Sequence, residues 1–456
     1  MRVLRQVVLA SAVVCGLSLA ASEASGSGYS VARFGGEHGH PTTTNATALY
    51  YNPAGIAMSD GFRVFVDVNL AWRKASYQHD IQPNEADTFV DDGSVPGAND
   101  GKASLFNILA SPMIGVTGKF GDFAAGVGFY TPFGGQSTWD KNDAMKDNPD
   151  AVGAYDGVQR WYNISGRITS SFITGGVGYH LKDLGLAVGV TGNLILSNTH
   201  TVRAKGLSGS NDVGGEGRAI LDTKGTDFSM GFGLMHETLP NKLWLGASYQ
   251  TRPNFSGMKP QTGTQRTFLG IQESEAPVEF ETDLPDVIRI GGRFRPAPET
   301  ELRLFGDYQR WSVLERHVVT NTDNGEPLLV QPREWKDTFG VRLGASQWLN
   351  ADTELFAGAG FSSNAVPDKW QEPGLPDWDA ISVGVGGRLA VVDETVFVAL
   401  GYTQLIYLGR DTDGKSDYDK VRPPDTATDS IKYGPDSGGK YSQLVGVLNA
   451  NVELAF

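Results

Sequence analysis

Phe62-Arg63-Val64-Phe65-Val66-Asp67-Val68-Asn69-Leu70-Ala71-Trp72-Arg73 alternates with period two. Phe62, Val64, Val66, Val68, Leu70 and Trp72 fall on one side, and Arg63, Asp67, Asn69 and Arg73 on the other. Successive side chains of a strand point to opposite faces, so one face of this segment is built for an apolar medium and the other for a polar one. The pattern returns in Leu184-Leu186-Val188-Val190, in Ile288-Ile290-Phe294 and in Phe339-Val341-Leu343. It returns again in Ile381-Val383-Val385-Leu389 and in the closing Leu448-Ala450-Val452-Leu454-Phe456.

Taken along the whole chain, such runs predict about fourteen strands, each near or somewhat above the 9–11 residues that cross an outer membrane. The expected spans are 62–77, 104–119, 123–134, 164–181, 184–203, 225–237 and 242–252, then 284–295, 300–312, 335–348, 353–365, 378–390, 395–408 and 442–456. Their connections alternate. Gly121-Asp122, Lys182-Asp183 and Leu239-Pro240-Asn241 are tight, whereas 78–103, 135–163, 204–224, 253–283, 313–334, 366–377 and 409–441 are long and polar. Short turns on one rim and long loops on the other predict an all-β fold: a transmembrane antiparallel barrel with its long loops outside the cell. Hydrocarbon offers backbone groups no water, so the sheet must close on itself. The polar face must then point inward, since one arginine on the lipid face at mid-membrane costs about 2–4 kcal/mol. Arg289, Arg293, Arg342 and Arg388 share the glycine-and-serine side of their strands and are expected in the lumen.

Composition agrees. The chain has 456 residues, 58 of them glycine, and a formal net charge of −14. That acidity speaks against a nucleic-acid partner, which would need clustered positive charge. No apolar run past the N-terminus is long enough for a spanning helix. The one cysteine, Cys15, lies in a segment that reads as a secretory leader: basic Met1–Arg5, apolar Val7–Leu19, then small residues. A leader over 1–21 sends the protein out of the cytoplasm and leaves the mature chain without a thiol. Disulfides, cysteine-ligated zinc and thiol catalysis are thereby excluded. His38-Gly39-His40 is too sparse for a metal site. Asp411, Asp413, Asp417 and Asp419 lack the spacing of a calcium loop. No Gly-x-Ser-x-Gly elbow is present, and nothing calls for a cofactor or a metal.

Tyr50-Tyr51-Asn52-Pro53-Ala54-Gly55-Ile56-Ala57, Gly126–Gly134, Leu284-Pro285, Asp307–Ser312, Trp335–Thr338 and Phe361–Pro367 occur in this order. In that order the sequence resembles the FadL/TodX family of bacterial outer-membrane transporters for hydrophobic compounds. The resemblance implies a fourteen-stranded barrel (61–456) in outer-membrane lipid and lipopolysaccharide, with an N-terminal hatch (22–60) in its lumen. It also implies passive uptake of long-chain fatty acids or aromatic and aliphatic hydrocarbons, with lateral release through the wall by the third strand. Two rivals are a porin-like channel for polar solutes and an outer-membrane lipid hydrolase.

The site expectations follow. Asn52, Pro53, Ala54 and Gly55 read generically as a turn, and by resemblance as a hatch motif. Phe34, Tyr50 and Tyr51 either line a ligand pocket or anchor the plug. Phe255, Met258, Phe268, Leu269 and Ile271 in the loop 253–283 form a capture surface or pack the loops together. By family analogy Leu207, Val213, Ile220 and Leu221 form the opposite wall. Gly128, Pro132 and Gly134 mark the lateral opening, or Pro132 simply ends its strand. The inward arginines meet a fatty-acid carboxylate or join a lumenal network with Asp67, Asp307 and Glu453.

Overall fold

The computed structural model describes residues 30–31, 33–80, 95–206, 211–392, 394–418 and 435–456. The expected leader with Cys15, the first part of the expected hatch, Leu207 and Asp419 lie outside these residues. Fourteen antiparallel strands form the wall: β1 Phe62–His79, β2 Gly101–Phe120, β3 Phe123–Thr138, β4 Ser165–Leu181, β5 Leu186–Lys205, β6 Gly217–Leu239 and β7 Leu243–Gln250. The others are β8 Val287–Ala297, β9 Thr300–Gln309, β10 Thr338–Trp348, β11 Thr353–Ser362, β12 Ala380–Val392, β13 Val396–Tyr407 and β14 Lys440–Ala455. β1 pairs with β14 along almost its full length, from Arg63↔Ala455 to Gln78↔Lys440. That seam closes the cylinder, and Phe62 and Phe456 complete it by exchanging two backbone hydrogen bonds of 2.9 Å.

The expected phase of the strands is the observed one. Along β8 the outward Ile288 and Ile290 are 44% and 60% exposed, while Arg289 between them is buried. Outward Val341, Leu343, Val383, Val385 and Leu400 continue the belt around the wall. Phe62, Phe120, Phe123 and Phe456 stand exposed at the short-turn rim, where an aromatic girdle belongs in such barrels. The tight turns use left-handed residues where the chain must reverse: Gly121 at φ 67° between β2 and β3, and Asn241 at φ 56° between β6 and β7.

Two of the connections expected as long polar loops contain strands of their own. Residues 253–283 contain a hairpin, Gln261–Leu269 with Gln272–Glu281, and 313–334 contain another, Arg316–Asn321 with Pro327–Pro332. The first pairs with β6 and the second with the first, so the loops extend the wall as one sheet. Their strands carry polar residues on both faces, which is why period-two reading passed over them.

Residues 33–60 lie inside the cylinder as an inner segment with short helical turns at Gly36–His38, Ala48–Tyr51 and Pro53–Met58. The inward glycines of the wall are its seat. A methyl group on Gly115 would stand 2.8 Å from Ala46 Cβ, and one on Gly178 would stand 3.1 Å from Ala57 Cβ. Methyls on Gly189, Gly233 and Gly246 would strike Pro53, Asn52 and Pro41, and one on Gly358 would strike Glu37. Glycine on the polar face of these strands thus leaves room for a chain rather than for water.

Candidate functional site

The inner segment is fixed to the wall by polar contacts that its own backbone cannot supply. Asn52 is wholly buried; its Nδ2 donates to Pro41 O at 2.7 Å and to Leu234 O of β6 at 2.9 Å. Its Oδ1 accepts from Ala54 N, capping the turn that begins at Pro53. Ser248 Oγ of β7 donates to Tyr51 O at 2.6 Å, and Gly35 N donates to Asp67 Oδ2 of β1 at 3.1 Å. All four residues of the sequence motif, Asn52, Pro53, Ala54 and Gly55, are buried at this contact and away from the aromatic cluster above it.

That cluster begins on the inner segment and climbs toward the long loops. Phe34, Tyr50 and Tyr130 of β3 stand 5.3–5.6 Å apart by ring centroids. Phe172 and Phe133 continue the series, followed by Trp311 and Trp335 at 6.0 and 5.1 Å. Phe34, Tyr50 and Tyr51 are therefore brought together, and Met258 packs on the same cluster. The other loop residues are not brought in. Phe255 is 58% exposed, Ile271 is fully exposed at a hairpin tip, and Phe268 and Leu269 flank that tip. Leu221 packs instead with Phe280 and Leu329 in the loop hairpins, while Val213 lies in a separate small cluster and Ile220 is half-exposed.

The four arginines all face inward. Arg289 stacks on Tyr50 with its guanidinium 4.3 Å from the ring centre and donates to Tyr50 O. Arg293 stacks on Trp244 at 4.3 Å. Arg342 donates to Ser382 and Ser362. Arg388 and Arg63 share Glu453 at 3.0 and 2.6 Å. Beneath the inner segment, on the short-turn side, opens a polar vestibule of about 630 Å³ lined by Arg63, His38, His40, Arg295 and Glu453. Its roof is the inner segment itself, at Gly35 and Thr43–Asn45. Among the described residues no group of three or more His, Cys, Asp or Glu is placed to hold a metal ion.

Between β2 and β3 the ladder is incomplete. The two strands pair from Phe120↔Phe123 to Met113↔Tyr130 and no further. Above that point Gly101–Pro112 pairs along β1, with Ser104 O accepting from Asp140 N at 2.9 Å beyond the end of β3, and β3 continues on β4 after a register shift between Tyr130 and Phe133. Pro112 and Pro132 flank the break, and neither has an N–H to give. Side chains bridge part of it: Ser111 Oγ donates to Thr131 O at 3.0 Å, and Asn107 exchanges two bonds with the Thr138 backbone. The backbone of Ser30–Val31 pairs with Gly134 and Phe133 on the free edge. Pro132 and Gly134 thus lie at the break, whereas Gly128 is paired with Gly115 within the intact ladder, below it.

A transport-protein family model, described as outer membrane protein transport protein (OMPP1/FadL/TodX), matches residues 6–421. The chain belongs to this family. It is 21% identical over 183 residues to the long-chain fatty acid transport protein of Escherichia coli, covering 37% of this chain and 40% of that one. A FadL homologue from Pseudomonas aeruginosa shares the fold at a TM-score of 0.73 and 14% identity, with 96% of this chain and 100% of that chain aligned. The Pseudomonas putida toluene transporter TodX aligns at 0.62 and 13% identity, over 91% of this chain and 95% of that one. Membership in the FadL/TodX family places the protein in the bacterial outer membrane as a transporter of hydrophobic compounds rather than an enzyme.

Several residues at the break and above the cluster escaped sequence reading. Tyr130 and Phe172 occupy the inward phase of their strands, where polar residues were expected. Pro112 sits inside a strand whose partner also carries a proline, and that pairing was a readable signal.

Proposed function

We propose that the protein carries long-chain fatty acids or aromatic and aliphatic hydrocarbons passively, the cargo leaving sideways between β2 and β3 into the outer leaflet. The observation that carries this reading is the stretch beside Tyr130 and Phe133 where β2 and β3 do not pair with each other and the aromatic cluster meets the wall. Entering water forfeits roughly 25 cal/mol per Å² of apolar surface, so an apolar solute gains by a route that stays in apolar surroundings. In this reading residues 33–60 are the hatch. They bar the short-turn side, and the Asn52 motif holds the plug without touching cargo. The names of the fatty acid and toluene transporters among similar proteins support the cargo class. An open porin-like channel would need water through the space that the inner segment occupies.

A thiol cross-link tests the exit. Asn107→Cys and Thr138→Cys, placed at the existing bridge, would be joined by a short bifunctional reagent in whole cells. Uptake of labelled hexadecanoate or toluene should fall to the background of a strain lacking the gene and recover when a cleavable linker is cut. Full cross-linking with undiminished uptake would reject the lateral route.

A further inference from the structure

Toward the long-loop end, the outer face of β14, β1 and β2 changes character over three ladder rows. In the upper row Gln78 of β1 stands between its partners Lys102 of β2 and Lys440 of β14. The next row is all hydroxyl: Ser104, Ser76 and Ser442, with Ser76 Oγ and Ser442 Oγ 2.8 Å apart. In the third row Lys74 stands between Phe106 and Leu444. Below it the lipid-facing surface begins with Ile108, Trp72, Leu70 and Leu448. Lys74 and Lys102 are both exposed, and among the described residues neither touches a carboxylate. Lys119, Lys141, Lys182, Lys369 and Lys415 each do. Acids reach this face from the loops and engage other residues of it. Asp413 lies 4.0 Å from Lys440, whose ladder partner is Asp411. Asp140 takes the Ser104 hydroxyl and Asp80 the Gln78 amide.

We propose that this face docks lipopolysaccharide, with saccharide phosphates on Lys74 and Lys102 and acyl chains on the apolar rows beneath. On a chain of net charge −14, two unmatched lysines at the edge of the apolar belt are a local exception that anionic head groups complement. An ammonium serves phosphate as a point charge, and the serine row between the lysines can both donate to and accept from sugar hydroxyls. Spacing selects the lipid. At about 3.3 Å per residue and about 4.8 Å between strands, the Cα atoms of Lys74 and Lys102 stand roughly 14 Å apart. Two outward lysines at that separation suit phosphates set apart on one saccharide, whereas a glycerophospholipid of the same leaflet offers a single phosphate. Phe106 and Ile108, 58% and 64% exposed, would carry acyl chains along β2, whose other edge leaves β3 above Met113. The docked lipid would therefore border the gap between β2 and β3. The inference does not depend on which cargo the protein carries.

The test counts bound lipid by native mass spectrometry on the refolded protein in an uncharged maltoside detergent. Three probes are compared: lipid A with both saccharide phosphates, the same lipid dephosphorylated, and phosphatidylglycerol. Wild type should bind one copy of the bisphosphorylated lipid at least about tenfold more tightly than either of the others. Replacing both lysines, Lys74→Gln with Lys102→Gln, should remove most of that preference, and Lys74→Arg with Lys102→Arg should keep it. Lys259→Gln with Lys336→Gln, which alters two exposed lysines elsewhere on the long-loop side, should also keep it. Heat-modifiable gel mobility checks that each variant is folded. Equal binding of the three probes by wild type would overturn the site. So would equal binding of lipid A and phosphatidylglycerol, which would leave only a general attraction for anionic lipid. A preference undiminished in the folded double glutamine variant would place the phosphates elsewhere and overturn it too. None of these results touches the transport reading, which uptake decides.

Discussion

His317 is a single residue with a readable consequence. It sits in the Arg316–Asn321 hairpin strand, outside the wall, where Thr282 Oγ1 lies 3.1 Å from Nε2 and Arg333 Nε donates to Nδ1 at 3.3 Å. Burial, and then the Arg333 charge, push its pKa well below the usual histidine range. The unfolded hairpin therefore takes up a proton below about pH 6.5 that the folded one refuses, and folded stability falls as pH drops through that value. Amide protection factors across residues 316–332, that is, exchange corrected for its intrinsic pH dependence, should fall by up to roughly tenfold per pH unit below that point, and His317→Gln should flatten the response. An unchanged pH profile in the variant would assign the effect to other groups. Nothing at sequence level marked this histidine, because its environment is made by a hairpin hidden in a polar loop. The inward arginines were legible, since a guanidinium facing lipid is too expensive to be there. Which of them would find a carboxylate was not, because Glu453 and Glu301 reach their partners across neighbouring strands.

Among the elements, the strands were legible to within a few residues where one face meets lipid. The alternation that fixed β8, with Ile288 and Ile290 out and Arg289 in, is a solvent boundary written residue by residue. Where both faces meet water or other loops, as in Gln261–Leu269, the boundary vanishes and so does the signal. Phe255, Phe268, Leu269 and Ile271 stood out in sequence as apolar residues in a loop, and geometry puts them apart from the aromatic cluster that Met258 joins. The inward glycines carried a further message. They trace the footprint of the inner segment on β2, β4, β5, β6, β7 and β11. Gly189→Val on β5 should therefore leave strand pairing intact and unseat Pro53 and Ala54. Single-channel conductance in planar bilayers should rise from near zero to measurable values, while heat-modifiable mobility stays that of a folded barrel. If conductance stays at the wild-type level, the glycine seat does not hold the segment.

Taken as a whole molecule, the protein is a lipid-facing cylinder with a polar vestibule below and an apolar core above. The inner segment stands between them. Removal of residues 33–58 should connect the two and give a steady, weakly selective conductance in a barrel that still folds. Conductance that remains near zero would mean that the loops, not this segment, form the seal. Fold and family were legible in sequence because the order of short motifs and the long–short alternation of loops are global features. The position of the break was only half legible. Pro132 announced it, but its meaning depends on Pro112 in the neighbouring strand, and on a register that only pairing reveals.

The seam between Phe62 and Phe456 has a last consequence, for biogenesis. Phe456 completes a join begun almost four hundred positions earlier, at Phe62. A nascent or prematurely terminated product has no way to satisfy the first strand's outer edge, at several kcal/mol for each stranded backbone group in hydrocarbon. A chain truncated before Lys440 should therefore fail to reach the heat-resistant, folded form on refolding into lipid, whereas the full chain should reach it.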